Sequence, residues 1–401
     1  MAKANGSPLS FWRGMFYLLL GTGLVLTVIR FTQGLGAVTN LNDRYPWGLW
    51  IGFDLLCGVG LAAGGFVITA AVYIFHIERL KPIARPALLT AFLGYLLVIV
   101  ALMFDLGKPW NIWHPLIMWN THSVMFEVAW CVMLYSTVLA LEFSGMVFEK
   151  FQWKRAAKIQ KILTVPLVIL GVMLSTLHQS SLGTMYLIVP GKLHALWYTP
   201  MLPVLFFVSA VGVGLAMVIV ESKLSSRAFG RGFELPILTE VGRVLVGALG
   251  LYGFMRIFDL LNRGVLAEAF TFSYESTMFL IELGLGVILP MVLLASARRR
   301  ASQKWLYTGS LLAVMGFVVN RLNVSLTGFE GAQGGHYIPS WAEVMITLMI
   351  VAIGFAAFGW IVKNFPVYPE EEEEPKAAVE EPLGLPEAEA TAPWERVLIE
   401  R

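Results

Sequence analysis

Ten apolar runs, each long enough to cross a bilayer and separated by short polar loops, leave this chain few folds to choose from. A membrane-spanning helix needs about 20 consecutive, mostly apolar residues. The runs fall at 14–34, 47–75, 84–105, 121–148, 160–181, 199–221, 238–262, 272–297, 305–325 and 340–362. In hydrocarbon every backbone N–H and C=O must find its partner inside the segment, so each run is expected to be a helix. The expected fold is an all-α integral membrane protein with about ten transmembrane helices. Only 14% of the 401 residues are charged, against about 25% in soluble domains, so lipid must be part of the solvent. The first run continues past Val28 without a small-residue cleavage site, and is read as a retained helix rather than a signal peptide.

Lysine and arginine set the orientation. The loops after runs two, four, six and eight carry Arg79, Lys81 and Arg85; then Lys150, Lys154, Arg155, Lys158 and Lys161; then Lys223, Arg227 and Arg231; then Arg298, Arg299, Arg300 and Lys304. The opposite loops hold scattered cations such as Arg44, Lys108, Lys192 and Arg263. Both termini are therefore expected in the cytoplasm. Residues 1–13 form a cytoplasmic N-terminus, 14–365 the transmembrane domain, and 366–401 an acidic tail opening with Glu370 to Glu374. That tail has the composition of a disordered segment.

A weak internal repeat runs through the domain. Leu49-Trp50 is echoed by Leu196-Trp197, and Phe104-Asp105-Leu106 by Phe258-Asp259-Leu260. Ser123 to Phe126 matches Ser276 to Phe279, and Ser181 to Thr184 matches Ser325 to Gly328. Four matches in one order point to two parallel four-helix repeats, helices 2–5 and 6–9, with helices 1 and 10 flanking them.

Ionisable residues inside a bilayer are costly and are functional candidates by default. Asp54, Asp105, His122, Glu127, His178, Arg256, Asp259, Glu275 and Arg321 gather in the non-cytoplasmic third of their runs, and Glu282 lies near mid-depth. Glu142, Glu221, Glu240 and Arg243 lie toward the cytoplasm, where the three glutamates read equally as interfacial groups. This gradient implies a polar pocket near the outer face with steps leading inward. Arg256 and Asp259, three apart, are expected to form a structural ion pair. The glycines from Gly60 to Gly65 read as close helix packing. The tryptophans near run ends, among them Trp50 and Trp197, read mostly as an aromatic belt.

Several classes drop out. Cys57 and Cys131 are too few for an iron–sulfur cluster. Of six histidines only His122 and His178 fall in a run, which argues against a haem held by paired histidines. No basic stretch interleaved with aromatics suggests a nucleic-acid partner.

The segments FTQGLG at 31–36, PWGLWIGFD at 46–54, NTHSVMFE at 120–127, LHQSS at 177–181 and STMF at 276–279, with Glu282 and Arg321, carry a resemblance. As a set they resemble the NrfD/polysulfide reductase C family of quinone-interacting membrane subunits, nearest to its hydrogenase-2 branch. The resemblance covers residues 14–365. It implies a subunit of the bacterial or archaeal cytoplasmic membrane that exchanges electrons between a periplasmic ferredoxin-like iron–sulfur subunit and the quinone pool. The quinone, menaquinone or ubiquinone, is then a bound substrate, without haem or iron–sulfur cluster in this chain. Catalytic subunits such as a nickel–iron hydrogenase are the implied partners. On this reading Asp54, His122, Glu127 and His178 line the quinone pocket, and Glu142, Glu221 and Glu282 relay protons inward. Two rivals are a secondary transporter, whose site would sit near the midplane, and a passive membrane anchor, which would gain nothing from buried charge.

Overall fold

The structure, a computed structural model, describes residues 11–188 and 191–368. Ten helices are long and apolar enough to span a bilayer: α1 Phe11–Gln33, α2 Trp50–Tyr73, α3 Glu78–Asp105, α4 Val124–Lys150, α5 Lys154–Met185, α6 Leu202–Phe229, α7 Leu235–Asn262, α8 Tyr274–Ala295, α9 Gln303–Ala332 and α10 Trp341–Asn364. Among the described residues there is no strand. The expected runs and the helices agree in number and order. α9 runs on through its π-helical turn to Ala332 rather than 325; the other larger differences lie where cations flank a run, α5 beginning at Lys154 rather than 160 and α6 continuing to Phe229 rather than 221. Long Lys and Arg stems lie along apolar surface while their heads reach water, so a helix outlasts its apolar window.

The loops alternate between two faces, here called the basic face (after α2, α4, α6 and α8) and the distal face. Helices α2 to α5 close into one four-helix bundle and α6 to α9 into a second. Between bundles, α2 packs on α6, α5 on α6, and α9 on α2. Exchanging the two bundles interchanges the last two contacts, as a two-fold axis along the membrane normal requires. Both flanking helices lie against the first bundle, with α1 packed on α10 and α10 on α3 and the start of α2.

Lipid tails are as apolar as leucine, so helix association relies on close packing and small residues. At the α2–α6 crossing a Cβ on Gly214 would fall 2.6 Å from the Gly64 amide nitrogen, and one on Gly64 would fall 2.9 Å from the Gly214 carbonyl oxygen. Gly60 accommodates the Phe317 ring of α9, and Gly65 takes Ala91 of α3. The glycine-rich stretch of α2 thus packs on three partner helices.

Three π-helical turns interrupt the spans, at Trp50–Leu55 in α2, Gly284–Ile288 in α8 and Asn323–Thr327 in α9. Such wide turns recur at functional sites, and each here contains or adjoins a buried polar residue. The matched serines differ in register. Ser123 caps α4 by accepting from the Phe126 amide, whereas α8 is capped by Ser273, accepting from Ser276.

The expected domain end at 365 moves by three residues. The Arg85 guanidinium donates to the Pro366 carbonyl at 2.9 Å, Val367 is buried, and the Tyr368 ring lies under Arg231. The rest of the expected disordered tail, 369–401, lies outside the described residues.

Gly214→Val is expected to cost about 1–3 kcal/mol through overpacking, read as a lowered Tm and loss of monodisperse protein in detergent. Gly212→Ala, whose Cβ would meet Ala248 at an ordinary 3.8 Å, should leave both unchanged.

Candidate functional site

Three groups of buried polar residues emerge, all displaced toward the distal face. The first lies where α1, α2, α3 and α10 meet. Asp54, in the opening π-helical turn of α2, accepts from the Thr347 hydroxyl of α10 at 2.8 Å. Asp105 lies at the end of α3, and among the described residues its Oδ1 is buried without a hydrogen-bond partner. Arg30 of α1, 2% exposed, donates to the Phe104 and Leu106 carbonyls, each at 2.7 Å, closing the end of α3. Glu343 is fully buried. It accepts from the Asn40 and Ser340 amides and from the Tyr337 hydroxyl, and its own carbonyl accepts from Trp50 Nε1 at 3.3 Å. Burial, and then the Glu343 carboxylate, push the Tyr337 phenol up from its usual range, so it stays a donor.

A cavity of about 350 Å³ descends from Asp54 between α2, α3, α6 and α10. Glu221 of α6 lies along its wall, accepting from Ser225 at 3.0 Å and from the Tyr368 hydroxyl at 3.3 Å.

The second group fills the core of the first bundle. His178 is fully buried, its ring 5.6 Å from that of Tyr95, which meets Tyr135 edge-on at 4.6 Å. Among the described residues, both His178 ring nitrogens, the hydroxyls of Tyr95, Tyr135 and Ser175, and Gln179 Oε1 have no hydrogen-bond partner. Buried polar groups ordinarily have partners, which marks this core as a second candidate site. At its distal edge Glu127 accepts from Ser181 at 2.9 Å. Glu142, also buried, lies seven residues after Tyr135 and so shares its face of α4.

The third group is the core of the second bundle, and it is centred on a carboxylate with three donors, although Arg256 Nε and Nη1 and Arg321 Nε are buried there without a partner among the described residues. Glu282 accepts from Asn320 Nδ2 at 2.7 Å, Asn323 Nδ2 at 2.8 Å and Trp197 Nε1 at 2.9 Å. Arg321 donates to Asn320 Oδ1, Ser209 Oγ and the Phe206 carbonyl, and lies 3.6 Å from the Phe206 ring centroid. A cavity of about 30 Å³, the size for a water molecule, lies among Glu282, Tyr252 and Asn320.

The four residues expected to line one pocket are therefore not together. Asp54 faces α10, His178 faces α3 and α4, and Glu127 is exposed at the distal end of α4. His122 is not in a span: it lies exposed in the turn before α4, because the helix starts only after the Ser123 cap. The expected Arg256–Asp259 pair does not form. Asp259 takes Arg263 instead, through Nε at 3.0 Å and Nη2 at 2.8 Å, and the Thr199 hydroxyl at 2.6 Å. Arg263 sits one turn further on with fewer packing demands. Arg256 turns inward to the Leu196 carbonyl at 2.8 Å and the Phe279 ring. Trp50 and Trp197, read from sequence as belt residues, are 2% and 0% exposed and bind buried polar groups. Glu343, Asn320 and Tyr95 were not singled out at all. Ser340 and Glu343 form a capping box, and that Ser-x-x-Glu spacing was the one available signal.

A family model described as polysulphide reductase, NrfD, matches residues 37–330. The chain belongs to the polysulphide reductase NrfD family. This NrfD-family chain is 35% identical over 351 residues to a probable Ni/Fe-hydrogenase 2 b-type cytochrome subunit of Escherichia coli K12, covering 86% of this chain and 89% of that protein. It is 28% identical over 400 residues to the integral membrane subunit of a menaquinone reductase of Nitratidesulfovibrio vulgaris, covering 92% and 94%. A further protein of that organism, without a functional name, is 41% identical over 363 residues, covering 87% and 92%.

The name of the hydrogenase-2 relative includes a b-type cytochrome, and a b haem calls for axial ligands such as facing histidines. In this NrfD-family chain His178 alone lies in a spanning helix; His76, His114, His122, His194 and His336 lie in the connections. The six do not offer an intramembrane pair.

Glu282→Leu would leave three buried donors without their carboxylate. It should cost about 3 kcal/mol or more, seen as a large fall in Tm in detergent. Glu127→Gln should leave Tm nearly unchanged, because only the Ser181 contact is altered.

Proposed function

We propose that this chain is the quinone-exchanging membrane subunit of a respiratory oxidoreductase, passing electrons between an iron–sulfur protein docked on its distal face and the membrane quinone pool. The observation that carries this reading is Asp54: a buried carboxyl near the distal face that heads an apolar cavity of about 350 Å³. A transporter's site would be expected at the midplane, and an anchor has no use for buried acids at the head of a cavity. The names of the hydrogenase-2 and menaquinone reductase relatives agree with the reading.

The excess of Lys and Arg makes the basic face cytoplasmic, and so places both termini there and the docked partner outside. A ferredoxin-like subunit, with a catalytic subunit such as a nickel–iron hydrogenase behind it, is the partner this reading calls for. Reduction of a quinone takes two electrons and two protons, and gives the quinol. The electrons come from the docked partner. The protons must reach the ring through acids within the protein.

Two inward routes suit that need. One follows the cavity from Asp54 to Glu221. The other follows the core of the first bundle from Glu127 past Ser181, His178, Tyr95 and Tyr135 to Glu142, where the unpartnered side chains suit an internal water chain. Glu282 takes a different role from the relay expected of it. Held by three donors beside Arg321, it acts as a fixed counter-charge.

Glu127→Gln and Asp54→Asn should each assemble with the partner subunits and lower quinone turnover by about 100-fold, the scale of a lost general acid. Turnover at the wild-type rate in both would remove these residues as proton donors. The partner is tested by gentle solubilisation of a tagged chain and identification of what co-purifies. A chain that purifies alone would favour the transporter.

A further inference from the structure

The cavity between α2, α3, α6 and α10 has a shape and lining that the exchange of electrons does not by itself explain. It is far longer than a ring needs. On α10 its lining runs from Ile350 down to Gly359, nine residues or about 14 Å at 1.5 Å per residue. Its walls are apolar along that length, with Leu61, Leu93, Leu97, Met217 and Phe358 among them. It opens sideways between the basic halves of α6 and α10, where Leu224 and Phe355 are exposed. In a bilayer that opening faces the acyl chains.

The geometry points to this cavity as the seat of the quinone's isoprenoid tail, with the ring at Asp54 and the chain descending toward the basic face. The assignment rests on the quinone reading above. Three observations carry it. The first is charge. Asp54 stands at the distal end with Asp105 nearby, and Glu221 lies along the α6 wall, two turns short of the basic end at Phe229. A carboxyl group at the distal end and another along the wall repel a phosphate, which disfavours a phospholipid with its head at either place. They suit a neutral ring, which offers carbonyls when oxidised and hydroxyls when reduced.

The second is the free valence at the distal end. Thr347 donates to Asp54 Oδ2, and among the described residues that is the one hydrogen bond to this carboxyl, which leaves Oδ1 to a ligand. A ring hydroxyl can donate there, or a protonated Asp54 can donate to a ring carbonyl.

The third is the wall itself. Gly58, Gly94 and Gly354 line the cavity at points where a Cβ would meet Val98, Ala62 and Leu97 at 2.7, 3.0 and 2.5 Å. These glycines let the helices approach closely along the sides. A Cβ on Gly359 would meet nothing within 4 Å, so there the wall stands back. The cavity is narrow along its course and widens toward the lipid, as the exit of a chain longer than the protein can enclose would be.

Gly359→Trp tests this, because a large side chain can enter the open end without displacing a neighbour. Gly21→Trp is the control, since Gly21 is exposed on α1 and also free of neighbours within 4 Å. The purified complex is assayed with a long-tailed menaquinone and with a tail-less dimethylnaphthoquinone. Gly359→Trp should raise KM for the long-tailed substrate about tenfold or more, and leave that for the tail-less one within twofold. Gly21→Trp should change neither. An unchanged KM for the long-tailed quinone, or an equal rise for both, overturns the tail assignment while leaving the quinone reading intact. A wild-type complex that neither turns over nor binds either quinone overturns both.

A second measurement does not depend on turnover. A long-tailed quinone carrying a diazirine at the tail end should cross-link to α10 around Phe355 to Gly359 or to α6 around Leu224 to Phe229, and lose those adducts in Gly359→Trp. Adducts confined to the lipid-facing side of α1 would refute the assignment. Retention of a phospholipid that Gly359→Trp releases, with quinone kinetics unmoved, would give the cavity to an acyl chain instead.

Discussion

Everything in this protein depends on how closely α2 and α6 approach at Gly64 and Gly214. Lipid supplies no hydrophobic force to press helices together, so the two bundles are joined where backbones can touch. The crossing carries no side chain that could be exchanged for another, since a Cβ on either glycine would enter the opposing backbone. It also sets the width of what lies beside it. The long cavity uses Gly58 and Leu61 of α2 and Met217 and Glu221 of α6 as walls, the same two helices that the glycine contact holds at fixed distance. The packing of the fold and the dimensions of the candidate site are thus one constraint.

The two bundles share a plan and differ in how their cores are finished. In the second, Glu282 meets three donors and Arg321 is pinned by Asn320, Ser209 and two aromatic rings. Glu282 is thereby held in one geometry, while Arg256 and Arg321 keep buried N–H groups without partners among the described residues. In the first, the buried groups with atoms still to be satisfied are His178, Tyr95, Tyr135 and Ser175, none of them a permanent charge. The cores thus differ in kind, one organised around a carboxylate and two guanidinium groups and the other around neutral rings and hydroxyls. The flanking helices add to the difference, since α1 and α10 both lie on the first bundle and α10 supplies Thr347 to Asp54.

Much of the fold was legible in advance. Ten apolar runs, the alternation of Lys and Arg between loops, and the echo of Phe104-Asp105 in Phe258-Asp259 pointed to ten spans and two four-helix units. These features are local, and period and composition report on them directly. The site was less legible. Depth along a helix can be counted from sequence, and it did place Asp54, Glu127 and His178 toward one face. Direction around the helix axis cannot be counted in the same way when a span is apolar on all sides, because no polar face marks the outside. That is why Asp54 and His178 were expected in one pocket and instead face different helices, Asp54 toward α10 and His178 toward α3.

The same limit explains the arginine. Spacing allows Arg256 to reach Asp259, but spacing equally allows Arg263, and the choice falls to which guanidinium finds other partners in the folded core. Sequence by itself determined that the chain spans a membrane, how often, with what polarity of charge, and in which family it stands. Those follow from composition and order along one dimension. Tertiary structure alone decided which buried charges meet, which stay unsatisfied, and that Asp54 and Glu221, far apart in the chain, line one cavity. Those are facts about the angles at which helices face each other, and helix faces are chosen by packing against partners that no single segment can specify.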